Sequence, residues 1–194
     1  MPVTDPTLRL AATEAIAREA GALALRHFRN LESLVVEAKG PQDLVSRADR
    51  EVEALIRGRL ATLFPGEAVL GEEGGQTGGG DVVWVVDPID GTWCFLNGIP
   101  SWCVSIACVA QGRTVTGVIF DPSSGELFAA RAGGGASLAG RPIRTAPVTR
   151  LADATVSVGL NFRVDILVVV PVIERLLRAG ALFHRHGSGA LGLA

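Results

Sequence analysis

Two carboxylates separated by a Pro-Ile pair, Asp87 and Asp90, are followed at once by Gly91 and Thr92, and this run carries the densest chemistry in the chain. It comes directly after residues 82–86, an apolar, β-branched, Trp-containing stretch without alternation, which predicts a fully buried strand. Pro88 lacks a backbone donor and fixes φ, so the ladder is expected to stop at Asp87, with a short helix beginning near Trp93. That arrangement sets acidic oxygens close enough to repel one another beside unpaired helix N–H groups that attract an anion. Repelling carboxylates at the edge of an apolar core are costly unless a cation joins them, and an all-oxygen site suits Mg²⁺ with a substrate phosphate completing its coordination. The competing reading is a plain Pro-Ile-Asp-Gly turn between strands.

Other residues bear on that choice. Glu72 and Glu73 follow the apolar pair Val69-Leu70 just as Asp87 follows its strand, and would bring a third carboxylate to the site if the two strands are neighbours. Residues 74–80 are expected to be a glycine-rich, mobile loop, a flap or hinge, and lack the Lys and Ser/Thr of a phosphate-cradling P-loop. Asp49 and Glu53 stand one turn apart on a helix, where a solvated face is the simpler reading. His27 reads as structural, and His184 and His186 share a strand face without a third nitrogen or sulfur ligand for zinc. The glycines of 133–140 have no strand-to-helix context, so they read as a turn and not as a dinucleotide loop.

Helical spacing predicts helices from about residue 5 or 7 to 29 and from 46 to 63, with a further one over 174–179. Strands are expected at 34–38, 102–110, 114–120, 127–131, 155–160 and 181–186, the second to fourth as an antiparallel meander, with a turn at Lys39-Gly40-Pro41. The 194 residues suffice for one large domain, and a net charge of −2 with interspersed signs offers no polycationic face for nucleic acid. The three cysteines, Cys94, Cys103 and Cys108, form no CxxC pair, and no signal peptide is evident, which together predict reduced, buried thiols in a cytoplasmic protein. The apolar run 164–173 contains Asp165 and Pro171 and is too short to span a bilayer, so no membrane partner is expected.

Taken together, Gly71-Glu72-Glu73, Asp87-Pro88-Ile89-Asp90-Gly91-Thr92 and Gly187-Ser188 resemble the signatures of the inositol monophosphatase family of Mg²⁺-dependent, lithium-sensitive phosphatases. The resemblance extends through Asp43-Leu44-Val45-Ser46 with Asp49 and through Asp121-Pro122 to Arg141-Pro142-Ile143, in the family's order over nearly the whole chain. It implies an α/β fold, a layered α-β-α-β-α sandwich of the inositol monophosphatase and sugar phosphatase type. It also implies that Glu72, Asp87, Asp90 and the Ile89 carbonyl hold two or three Mg²⁺ ions, with Lys39 adding positive charge. Gly91, Thr92, Gly187 and Ser188 would meet the phosphate, while Asp49 and Thr92 orient and deprotonate a metal-activated water.

The chain departs from the family's pattern in two ways. Cys94 stands where many members have Asn, and a thiol cannot reproduce an amide's hydrogen bonds. The family continues past the Gly-Ser motif to a Trp-Asp motif whose Asp binds metal, whereas this sequence stops at Ala194, and residues 161–170 look short and apolar. The resemblance therefore implies a single phosphatase domain over residues 1–194 lacking a C-terminal portion, dimeric, acting on a small polyol phosphate, inositol monophosphate first. Histidinol phosphate, fructose bisphosphate and adenosine bisphosphate are the substrate alternatives, and a non-catalytic module contacting transcription machinery or RNA is the alternative of another class.

Overall fold

The computed structural model describes residues 5–34, 36–40, 43–160 and 164–194, with residues 33, 36–40 and 43–45 described by their backbone alone. The first helix, α1 (Pro6–Phe28), starts where expected: Asp5 caps it through the Thr7 N–H, and Pro occupies the first turn. Strands β1 (Val36–Gly40) and β2 (Asp43–Ser46) pair antiparallel and lead into α2 (Arg47–Leu63). The strand thus runs through Lys39 and Gly40 where a turn was expected, and Pro41 lies outside the described residues.

Next come β3 (Ala68–Gly71), β4 (Gly75–Thr77), β5 (Val82–Asp90) and the short helix α3 (Thr92–Leu96). They are followed by β6 (Cys103–Ala110), β7 (Arg113–Asp121), β8 (Glu126–Arg131), β9 (Gly135–Leu138) and β10 (Arg141–Ile143). Among the described residues these strands form one mixed sheet in the order β10-β9-β8-β7-β6-β5-β3-β4, antiparallel except for the β3–β5 pair. The meander is as expected, but both glycine-rich segments contribute strands, β4 and β9, because backbone pairing needs no side chain. Beyond them lie β11 (Thr155–Ser157), α4 (Ile166–Arg178) and β12 (Leu182–His184), the two strands pairing in parallel as a separate small sheet. Both strands are shorter than expected, and α4 absorbs most of the apolar run 164–173, with Pro171 inside it. Among the described residues no helix is long and apolar enough to cross a membrane.

α1 and α2 cover one face of the large sheet. Small residues let α1 approach closely: Ala17, Ala20 and Ala24 are buried, and a Cβ on Gly21 would come within 2.5 Å of the Phe120 ring. Val52, Ile56 and Leu60 of α2 join Trp84, Val86, Ile89, Val104 and Ile106 in the core. At the α3 end Phe95 and Trp102 pack edge to face with centroids 4.9 Å apart. The three cysteines are buried and free.

One buried charge ties α1 to the sheet. Arg9 donates to both oxygens of Glu67 (2.7 and 2.5 Å) while its guanidinium lies over the Phe64 and Trp84 rings. Glu67 also accepts the Trp84 indole N–H at 2.7 Å. Burial pushes the Glu67 carboxyl upward, but the bonds from Arg9 and Trp84 more than offset it, leaving it below its ordinary value. Truncating Glu67→Ala strands the Arg9 charge and is expected to cost about 3–5 kcal/mol. Because the folded value is the lower one, the pair's contribution is fully present above pH 4.5 and lost as pH falls through the folded value. Denaturant titrations of parent and variant should therefore converge on acidification; a constant difference down to pH 2 would show that Arg9 is stabilised by something else.

Candidate metal and phosphate site

β5 does not stop at Asp87. It pairs with β6 from Val82↔Ala110 to Asp87↔Ser105, slips, and resumes at Asp90↔Cys103, so three steps on β5 oppose two on β6. The extra residue is a bulge, the place within a sheet where Pro88 and its missing N–H are tolerated. The bulge has a geometric effect as well. Side chains three apart on a regular strand face opposite sides, and one inserted residue returns Asp87 and Asp90 to a common side.

The parallel β3–β5 register supplies the next carboxylate. Gly71 pairs with Val86, and the Glu72 N–H continues the ladder to the Val86 carbonyl at 3.2 Å, which sets Glu72 beside Asp87. Burial first, then the charges of Glu72 and Asp90, push the Asp87 carboxyl up to about 9, and it hydrogen-bonds Glu72. Its Oδ1 is buried without a hydrogen-bond partner.

Asp49 is 1% exposed, so the solvated-face reading fails. Its Oδ2 accepts both the N–H and the hydroxyl of Ser46 (2.8 and 2.7 Å), closing a capping box at the start of α2. Desolvation raises its pKa against those bonds, with the Glu73 charge acting in the same direction. Thr92 Oγ1 lies 3.5 Å from Asp49 Oδ1 and donates to the Ile89 carbonyl at 3.0 Å. Gly91 caps α3 with φ +98°, and a Cβ there would sit 2.8 Å from the Ser101 carbonyl and 3.3 Å from Ser188 Cβ, so the position requires glycine.

The Gly187-Ser188 turn closes over this end of β5. Ser188 Oγ donates to Asp90 Oδ2 at 2.5 Å, and the Ala190 N–H reaches the same oxygen at 2.6 Å. Gly187, at φ +87°, lies so near Cys94 that a Cβ would come within 2.4 Å of the sulfur. The thiol at position 94 thus packs against the turn, 3.9 Å from the His186 carbonyl. A cavity of about 510 Å³ lies alongside, lined by Asp90, Ser157, Arg185, Gly187 and Ser188 among others.

The fold therefore gathers Asp49, Glu72, Asp87, Ile89, Asp90, Gly91, Thr92, Gly187 and Ser188 around one strand end. With Asp90 bonded to Ser188 and Glu72 to Asp87, no three His, Cys, Asp or Glu side chains among the described residues are arranged to hold a metal ion. The donor set nevertheless fits a hard cation: its atoms are oxygens, and Asp87 Oδ1 is buried, unpartnered and surrounded by like charge. His184 and His186 stack edge to face at 4.4 Å, with His186 lining the same cavity as Asp90, and His27 bonds Glu51 at 2.9 Å. Lys39 lies in β1, its side chain outside the described residues. Sequence reasoning missed Glu53, buried one turn after Asp49. The signal was present, since Asp49 and Glu53 directly follow Ala48 and Val52 of the α2 core stripe.

A mixed sheet flanked by helices, with an acidic strand end facing a short helix, defines an α/β protein of the layered type. The model of the inositol monophosphatase family matches residues 5–194, and the chain belongs to that family. It is 40% identical over 180 residues to a Nus factor SuhB of Xylella fastidiosa, covering 92% of this chain and 66% of that protein. It is 43% identical over 143 residues to an inositol-1-monophosphatase of Rhizobium meliloti, covering 73% and 54%. The chain thus spans two thirds or less of the length of these curated relatives. Among solved structures, the extragenic suppressor protein suhB of Bartonella henselae superposes with a TM-score of 0.93 at 34% identity, covering 96% of this chain and 73% of that one. An IMPase of Thermotoga maritima gives 0.83 at 31%, covering 95% and 70%.

If crowding of like charge governs this strand end, Asp87→Asn should stabilise the protein in chelating buffer by at least about 1 kcal/mol, about 2–4 °C in melting temperature. Added Mg²⁺ should raise the melting temperature of the parent and not of the variant. A variant that melts lower than the parent in chelator would refute the crowding account.

Proposed function

We propose that this protein is a metal-dependent phosphomonoesterase acting on a small polyol phosphate, with inositol monophosphate the first choice of substrate. The observation that carries the reading is the buried, unpartnered Asp87 oxygen set among Glu72, Asp90 and Asp49. Glu72, Asp87, Asp90 and the Ile89 carbonyl are the groups that would hold Mg²⁺, two or three ions in this family. Bound there, Mg²⁺ supplies charge neutralisation on the transferring phosphoryl group and the leaving oxygen.

The remaining work falls to the chain's own groups. Thr92 Oγ1 would accept a proton from an attacking water and, with its own proton turned from the Ile89 carbonyl toward Asp49 Oδ1, pass that proton to Asp49. The upward shift of the Asp49 pKa makes it a better base than an ordinary aspartate. Backbone N–H groups at Gly91 and Thr92, with Gly187 and Ser188 opposite, are the proposed phosphate contacts, and the adjoining cavity has room for a polyol ring. A cytoplasmic homodimer over a single phosphatase domain is part of the same proposal.

Histidinol phosphate, fructose bisphosphate and adenosine bisphosphate are substrate alternatives within the family. The name Nus factor, borne by several relatives, favours a second reading: a regulatory module that contacts transcription machinery or RNA without turnover. Against it, a module that only binds gains nothing from buried carboxylates that repel one another.

The deciding measurement is phosphate release across these substrates in defined Mg²⁺. Asp90→Asn should lower the rate by at least about 100-fold while leaving the melt cooperative. Lithium should inhibit the parent, because it would bring one unit of charge less than Mg²⁺ to the departing group. Parental rates in Asp90→Asn would remove the site assignment, and no release from any substrate would favour the regulatory reading.

A further inference from the structure

Glu72 reaches the acidic cluster from the first residue of the turn 72–74, whose ends are joined by the β3–β4 pairing at Gly71↔Gly75. Its N–H is held by Val86, and the residues within the turn are held by a side chain from another element. Glu53 of α2 accepts the backbone N–H groups of Glu73 and Gly74 at 2.8 and 2.9 Å, one on each carboxylate oxygen. Arg57, one turn further along α2, donates to Glu53 at 2.7 Å and also reaches the Gly75 carbonyl (2.5 Å) and Thr77 Oγ1 (2.9 Å) of β4. The turn carrying Glu72 is thereby fixed to α2, and its continuation into β4 is fixed to the same pair.

Glycines make the approach possible. A Cβ on Gly71 would sit 2.4 Å from the Glu53 carboxyl carbon, and one on Gly74 would sit 2.8 Å from a carboxylate oxygen. Glu53 side-chain burial is nearly complete at 3% exposure, and its charge is answered by Arg57 and two N–H donors. It is therefore committed before any ligand arrives. One turn earlier the same helix presents Asp49 to Thr92, so α2 sets both the Thr92 partner and Glu72.

We infer that Glu53, braced by Arg57, is a positioning residue that holds Glu72 in ligating register for the metal site. The inference rests on the metal-dependent reading above and concerns affinity and geometry, with no direct contact between Glu53 and substrate or metal. Groups that orient ligands in this way change metal affinity about 10- to 100-fold when altered.

The test uses Mn²⁺ as the probe, with free ion counted by electron paramagnetic resonance in the substrate-free protein. Glu53→Gln keeps the volume but turns an amide toward a backbone N–H. It should weaken Mn²⁺ binding about 10-fold or more. It should also raise the Mg²⁺ concentration needed for half-maximal phosphate release while leaving the rate at saturating Mg²⁺ near the parent's. Arg57→Lys, which loses the fork that bridges Glu53 and β4, should weaken binding in the same direction. Asp87→Asn is the control and should abolish binding at the site. Parental Mn²⁺ affinity in a folded Glu53→Gln overturns the inference alone, provided Asp87→Asn has lost binding. Should Glu53→Gln fail to fold, Arg57→Lys decides: weakened binding supports the positioning role, and parental affinity overturns it. Parental affinity in Asp87→Asn overturns the metal reading and the inference with it.

Discussion

Repulsion between Glu72, Asp87 and Asp90 is the constraint to which much of this architecture answers. Like charges in a poorly hydrated place push one another apart or take up protons, and Asp87 shows the second response in its raised pKa. Holding them together falls to elements that do not move easily: a sheet strand with a bulge, a parallel neighbour in fixed register, and a helix capped by the site itself. The capping box is instructive, because Asp49 orders the first turn of α2 with one oxygen and faces Thr92 with the other. A structural role and a candidate catalytic one share a single carboxylate.

Buried charge recurs far from the site. Arg9 sits at the start of α1 among apolar residues, and its pairing with Glu67 and two aromatic faces closes the gap between that helix, the approach to β3, and Trp84 of β5. The strand that carries Asp87 is thus anchored by an ion pair near its beginning and ends in carboxyl groups that crowd one another. Opposite charge fixes one end, and like charge crowds the other.

What could be read from the sequence follows from which forces are local. The helices α1 and α2, the β6–β8 meander and the Asp-Pro-Ile-Asp-Gly-Thr signature are written in periodicity and turn chemistry, and motif order sufficed to name the family. The bulge was not legible, because Pro88 reads as a stop unless the partner strand is known to slip. Nor were β4 and β9, where glycine-rich backbone pairs without side-chain preference. Periodicity alone left Asp49 looking solvated, although the family motif pointed to it, and gave Glu53 no role, because a carboxylate beside an apolar stripe looks solvated until the elements that cover it are placed. α4 continues through Pro171 although Val169 is its one buried residue, and the helix expected over 174–179 starts earlier, at Ile166.

The bond from Ser188 to Asp90 spans 98 residues, whereas Asp49, Glu72, Asp87 and Thr92 come from one continuous stretch of chain. Closing a long loop costs only about 0.6 kcal/mol more for each doubling of its length, so the distance hardly weakens the finished contact. Its effect is on timing. During synthesis the carboxylates can assemble once β3, β5 and β6 pair, while the serine that covers Asp90 is translated much later, so the nascent site passes through an open interval before its roof exists.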